Sequence, residues 1–279
     1  MPRPRRILML LLSLSGIAYL GLCLAAFVFQ RSLLYPAPKA PMPLPASEGF
    51  RRLPLTGESF VDLLHLPGPP GAPTVVHFHG NAEQLLDQLD LGAVMNQSGL
   101  GFMAVEYPGY GASPGQPTEQ GLYEAAEAAL AVLRAQGVAP ELTVLSGRSL
   151  GTGVAVEMAR RGHGARIMLV SPYTSIPDVA GKLFPFLPAS LLVRDHFDSS
   201  AKAPDIRLPV LIIHGEEDTL IPVEMGRRLG TRFPRATVET VPGAGHNDVL
   251  ERSGQERVLR MAAFALTGGQ VPGRASPKE

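Results

Sequence analysis

Residues 142–161 read LTVLSGRSLGTGVAVEMARR, and the change of pattern inside this stretch decides the fold. Residues 142–146 form a short, mostly apolar run of the length and composition of a buried strand. From Leu150 to Arg161 small residues and helix formers follow, which suits a helix packed closely on a sheet. Between the two, Gly147-Arg148-Ser149-Leu150-Gly151 fits G-x-S-x-G, the tight strand-to-helix turn that lifts a serine hydroxyl clear of the sheet.

The same five-residue pattern recurs at Gly111-Ala112-Ser113-Pro114-Gly115, so the match alone does not choose between two serines. Acyl transfer needs the N–H of the residue after the nucleophile to stabilise an oxyanion. Pro114 has no N–H, whereas Leu150 has one. Ser113 also lies in a Gly/Pro-rich loop with no helix directly behind it. Ser149 is therefore the expected nucleophile and Ser113 a turn residue.

A serine hydroxyl needs a histidine to take its proton and a carboxylate to orient that histidine, in the chain order serine, acid, histidine. His196, His214 and His246 are the candidates weighed for the base. His214 precedes the acidic cluster 216–218, and His196 has only Glu157, Asp178 and Asp195 between itself and Ser149, none of them after a strand end. His246 follows the last strand in a glycine-flanked loop, PGAGHND, and is the expected base. Asp218, in HGEEDTLIP, is the expected acid, with Glu217 in reserve. The second oxyanion donor is assigned to the backbone N–H of Asn81, in the loop VVHFHGNA, beside that of Leu150. His77 and His79 alternate along one strand end with no third ligand nearby, a poor zinc pattern. No metal and no cofactor are expected, and His79 is read as a brace for its loop.

Outward from the serine, strands are expected at 74–78, 102–106, 142–146, 167–170, 210–214 and 237–241. Helical patterns lie near 82–97, 118–136, 150–161, 222–233 and 247–265. Alternation of this kind predicts an α/β fold: a mostly parallel sheet with helices on both faces. Pro177, Pro185 and Pro188 break the rhythm over residues 176–208, which read as a short apolar lid insertion. The catalytic domain is set at 50–268, followed by a tail, 269–279, expected to be disordered.

Before it, residues 7–29 are an uncharged run of 23, long enough to cross a hydrocarbon core of ~30 Å at ~1.5 Å rise per residue. It reads as a single-pass transmembrane anchor, with a cleaved signal peptide as the competing reading. Arg3, Arg5 and Arg6 in the basic flank 1–6 outnumber Arg31 and Lys39 behind it, which places the N-terminus in the cytoplasm and the catalytic domain outside. Residues 36–49, PAPKAPMPLPASEG, read as an extended spacer. No catalytic candidate lies before residue 40, so the domain is expected to stay reactive when cut free there. With 25 basic and 25 acidic residues the chain has no basic excess for nucleic acid. Its single cysteine, Cys23, excludes an intrachain disulfide.

FHGNAEQL (78–85), YPGYGASPG (107–115), GRSLGTGVA (147–155), SPYTS (171–175), VLIIHGEEDTLIP (210–222) and GAGHND (243–248) together resemble the α/β-hydrolase superfamily. They resemble in particular its membrane-anchored branch, which includes the eukaryotic protein depalmitoylases. The resemblance implies the α/β-hydrolase fold, Ser149, Asp218 and His246 as a triad, and Asn81 and Leu150 as oxyanion donors. It also implies cofactor-free hydrolysis of ester, thioester or amide bonds. The depalmitoylases carry a cysteine-rich, lipid-modified N-terminus where this chain has a spanning helix. The function expected is that of a serine esterase or thioesterase acting on a small acyl or lipid-like substrate at a membrane. Acyl transfer with the same triad, and a non-catalytic binding role on the same fold, are the alternatives. Nothing in the sequence sets the oligomeric state.

Overall fold

Short apolar runs whose side chains are buried on both faces can satisfy their backbone only in a sheet covered by helices on either side. The computed structural model of the chain, which describes residues 3–38, 44, 49–55, 59–252 and 254–268, has that architecture. Helix α1 is Arg3–Leu34, and the hairpin strands are β1 Phe50–Pro54 and β2 Phe60–Leu66. Then come β3 Thr74–Phe78, α2 Leu89–Gln97, β4 Gly101–Val105, α3 Glu119–Ala135, β5 Thr143–Arg148, α4 Leu150–Arg160 and β6 Arg166–Val170. The insertion carries α5 Ile176–Leu183, α6 Ala189–Leu192 and α7 Ser199–Lys202. β7 Val210–Gly215, α8 Val223–Gly230, β8 Ala236–Val241 and α9 Glu256–Thr267 complete the chain.

The strands form one sheet in the order β1-β2-β4-β3-β5-β6-β7-β8. From β4 to β8 all neighbours are parallel, while β1 and β2 join antiparallel at one edge. One hydrophobic cluster lies on the face of α3 and α4, and a second on the face of α2 and α9. The six expected strands are present within one or two residues. The hairpin β1–β2 is an addition to them. Its sequence, with Pro54 and the charges Arg51, Arg52 and Asp62, lacks clean alternation. Asp62 is nonetheless buried because Arg52, its cross-strand partner, reaches it at 3.0 and 3.3 Å. Pro54 sits on the outermost strand, where its missing donor costs no ladder bond.

β3 has β4 on one side and β5 on the other, so the chain reverses its direction of travel across the sheet between them. A crevice at the carboxyl ends of such strands is where α/β folds hold their ligands. The loop after β3 carries Asn81, and the turn after β5 carries Ser149.

Helix α1 extends beyond the expected 7–29 at both ends, and its segment Pro4–Leu34 is long and apolar enough to cross a membrane. It also departs from the expectation of an independent tether. Tyr35, directly after it, is 4% exposed and belongs to the main core. Arg31 pairs with the buried Asp195 at 3.2 Å, and Asn81 Nδ2 donates to the Leu34 carbonyl at 2.7 Å. A cut near residue 40 therefore removes a core tyrosine and a partner of the Asn81 loop. Most of the spacer 36–49 and all of the tail 269–279 lie outside the described residues.

Candidate active site

Strand β5 passes into α4 without a loop, and the backbone must turn sharply at Ser149. It does so at φ 47° and ψ −115°, a conformation costly for a residue with a Cβ and characteristic of functional turns. The flanking glycines make this possible by close approach. A Cβ on Gly147 would collide with the Gly151 carbonyl oxygen, and one on Gly151 with the Phe78 carbonyl oxygen at the end of β3. α4 can thus press against β3 and β5 and aim its N-terminus at the serine.

The three side chains nominated from the sequence converge there. Ser149 Oγ lies 3.0 Å from His246 Nε2, and His246 Nδ1 lies 2.7 Å from Asp218 Oδ2. A carboxylate can only accept, so Nδ1 carries the imidazole proton and Nε2 is left to accept from the serine hydroxyl. Asp218 is buried, and its Oδ1 takes the backbone N–H groups of Leu220 and Ile221 at 3.0 and 2.7 Å. Burial alone would raise its pKa, but hydrogen bonds from His214, His246 and Ile221 outweigh that and hold it far below the usual carboxylate range. Glu217 is exposed. Ser113 is buried in its loop, where its Oγ accepts from the Asp62 N–H at 3.4 Å.

The backbone N–H of Leu150 opens α4, where the first donors have no intrahelical acceptor. Gly80 brings the Asn81 loop against Ser149, since a Cβ there would sit 3.4 Å from the Ser149 Cβ. The N–H of Asn81 has no acceptor among the described residues. Its side chain is fixed at both atoms, donating to Leu34 and accepting from the Tyr110 hydroxyl at 2.7 Å. Ala82, next along, holds φ 59°.

Four supporting residues carry no role in the sequence reading. Glu83 accepts from the Gly80 N–H at 3.0 Å and pairs with Arg148 at 3.1 Å. Arg148 also donates to the Asn247 carbonyl at 2.9 Å, so the variable residue of the elbow ties the Asn81 loop to the His246 loop. Glu106 is buried against His79 Nε2 at 2.9 Å. His214 Nε2 donates to the Ile221 carbonyl at 2.8 Å and stands 3.4 Å from Asp218, steadying the acid. Three of them stand in the motifs quoted above and Glu106 directly before one, but their partners lie up to 99 positions away, beyond any local pattern.

His79 is bonded through both ring nitrogens to its own loop and to Glu106. Its Nδ1 faces the Gly80 carbonyl at 2.9 Å while Nε2 faces Glu106, two acceptors that favour a proton on each nitrogen. Burial would lower its pKa, but Glu106, Glu83 and the Gly80 carbonyl outweigh that and raise it. His77 faces Ser146 at 3.0 Å instead, and burial pushes it down to about 4. Removing one partner of a buried pair leaves the other uncompensated, so Glu106→Gln should lower unfolding free energy by about 3 kcal/mol. The His79 contribution is complete below the unfolded value of 6.5 and is lost as pH rises through its raised folded value. The gap between wild type and variant should therefore narrow on the alkaline side. Denaturant unfolding across pH checks both, and a gap that widens there contradicts the assignment.

A family model described as the alpha/beta hydrolase fold matches residues 168–253. An uncharacterised protein of Mycobacterium tuberculosis is 36% identical over 235 residues, covering 78% of this chain and 81% of that one. The chain belongs to the α/β-hydrolase superfamily. Human alpha/beta hydrolase domain-containing protein 17B is 40% identical over 182 residues, covering 63% of this α/β-hydrolase and 61% of the human protein. The esterase Pf2001 of Pyrococcus furiosus superposes with a TM-score of 0.67 over 82% of this chain and 97% of its own, at 15% identity. A monoacylglycerol lipase of Paleococcus ferrophilus gives 0.57 over 74% and 98%, at 22% identity. At such identities the likeness is one of fold.

Proposed function

We propose that this α/β-hydrolase cleaves ester or thioester bonds of an acyl or lipid-like substrate, with Ser149 as nucleophile, His246 as base and Asp218 as orienting acid. The observation that carries this is the continuous hydrogen-bonded line from Ser149 Oγ through His246 to Asp218, at 3.0 and 2.7 Å, starting on a strained turn. The structural likeness to esterases and a lipase agrees with it.

In this reading His246 Nε2 takes the serine proton as Oγ attacks the carbonyl carbon. The oxyanion that forms is met by the preorganised N–H groups of Leu150 and Asn81. Collapse expels the alcohol or thiol, which receives the proton from His246, and leaves an acyl-enzyme. Water, deprotonated by the same imidazole, then releases the acid. Asp218 stays charged throughout and stabilises the imidazolium.

Helix α1 would hold the domain at a membrane, N-terminus in the cytoplasm and active site outside, as the arginines at 3, 5 and 6 favour. A membrane-impermeant fluorophosphonate given to intact expressing cells tests chemistry and orientation together. The expected result is labelling of one serine without lysis. Labelling only after lysis reverses the orientation, and no labelling in either state ends the serine-hydrolase reading.

A further inference from the structure

The contact between α1 and the insertion is fastened at two levels and left open between them. At the upper level the Tyr19 hydroxyl donates to the Phe186 carbonyl at 2.9 Å. At the lower level Gln30 donates to the Leu192 carbonyl at 3.0 Å and accepts from the Arg194 N–H at 2.7 Å. Between these lies a cavity of about 430 Å³, walled by α1 residues such as Leu22, Ala26 and Phe29 and by Val179, Leu183 and Leu187 of the insertion. That volume falls in the range of small-molecule sites, roughly 300–1,000 Å³. Among the described residues Gln30 is the one lining residue with a polar side chain, and its amide is already engaged at both ends. Such a wall can recognise hydrocarbon and nothing else.

Two further observations say which hydrocarbon. First, the α1 wall belongs mainly to the uncharged run 7–29, whose length matches a bilayer core. Beside it the insertion exposes Phe184, Phe186 and Leu191, the last at 81%, a surface that water does not favour and lipid does. The part of the chamber lined by Leu22 to Phe29 therefore lies at the level of lipid chains. Second, two of its lining residues are tied to the segments that carry Asn81 and Leu150. Leu34, which lines it, accepts a hydrogen bond from Asn81 at 2.7 Å. Ile176, also lining it, follows closely on Tyr173, whose hydroxyl donates to the Leu150 carbonyl at 3.1 Å.

We propose that this chamber is the acyl-chain site, in which a single long fatty acyl chain lies between α1 and the α5–α6 segment with its ester or thioester carbonyl at Ser149. The membrane helix is then a wall of the substrate site as well as an anchor. This rests on the proposed hydrolase reading and adds the substrate class and its path from the bilayer.

A long-chain alkyl fluorophosphonate with a diazirine at the tail end tests it on the full chain in phospholipid nanodiscs. The phosphorus attaches to Ser149, and light then marks where the tail lies. Adducts on residues 22–34 or 176–193 are expected. Adducts confined elsewhere overturn the chamber while leaving the hydrolase intact, and failure to attach at Ser149 removes both readings. Ala180 also lines the chamber, and filling it with Ala26→Trp or Ala180→Trp gives a second measurement. Each should cut kcat/KM for p-nitrophenyl palmitate by at least about tenfold, through loss of apolar chain contacts. p-Nitrophenyl butyrate and short-probe labelling should stay near wild type. Palmitate cleavage that survives both substitutions, or falls no more than butyrate cleavage while labelling persists, overturns the proposal.

Discussion

Replacing Ser149 by alanine should reduce ester hydrolysis by on the order of 10⁶-fold and abolish fluorophosphonate labelling, because loss of the nucleophile disables the whole unit rather than one part of it. Ser113→Ala is the paired measurement. Ser113 lies buried in its turn and accepts one long hydrogen bond from Asp62, so its loss should cost stability by about 1 kcal/mol and leave turnover nearly unchanged. Steady-state rates and probe labelling on both variants, with thermal unfolding as a folding check, decide the matter. A folded Ser113→Ala protein that no longer labels would reverse the assignment.

Asp218→Asn should lower kcat by about 10⁴-fold with little change in fold, as the loss of an orienting carboxylate does in other triads. The reason lies in the partners of each oxygen. Oδ1 is claimed by the N–H groups of Leu220 and Ile221, so the amide oxygen must stay there. The new NH₂ then faces His246 Nδ1 across the 2.7 Å contact. A donor at that place forces the imidazole proton onto Nε2, which can no longer accept from Ser149. Glu217, adjacent in sequence but exposed, makes no such contact, and Glu217→Gln should fall within about twofold of wild type, as surface substitutions usually do. The opposite ranking in steady-state kinetics would move the acid to Glu217.

The parallel part of the sheet was legible because its strands are short apolar runs separated by helical patterns. The hairpin β1–β2 was not, because its buried charge, Asp62, is made tolerable only by Arg52 across the strand pair. The choice of Ser149 over Ser113 needed only the rule that proline has no N–H. The contacts of the N-terminal helix with the domain were not legible for a related reason. Hydropathy marks 7–29 as apolar but says nothing of what Tyr35 packs against.

By itself the sequence determined the strand–helix alternation and singled out Ser149, Asp218 and His246 as the candidates, since each of these readings depends on chemistry carried within a few neighbouring residues. Tertiary structure alone decided which charges are buried and paired. Arg148 joins the Asn81 loop to the His246 loop, Glu106 and Gly80 bracket His79 and Glu106 raises its pKa, and His214 steadies Asp218. It also decided that α1 and the insertion line an apolar cavity between them. Hydrogen bonds and cavities between residues far apart in the chain are set by how the layers pack, and no local periodicity encodes that distance.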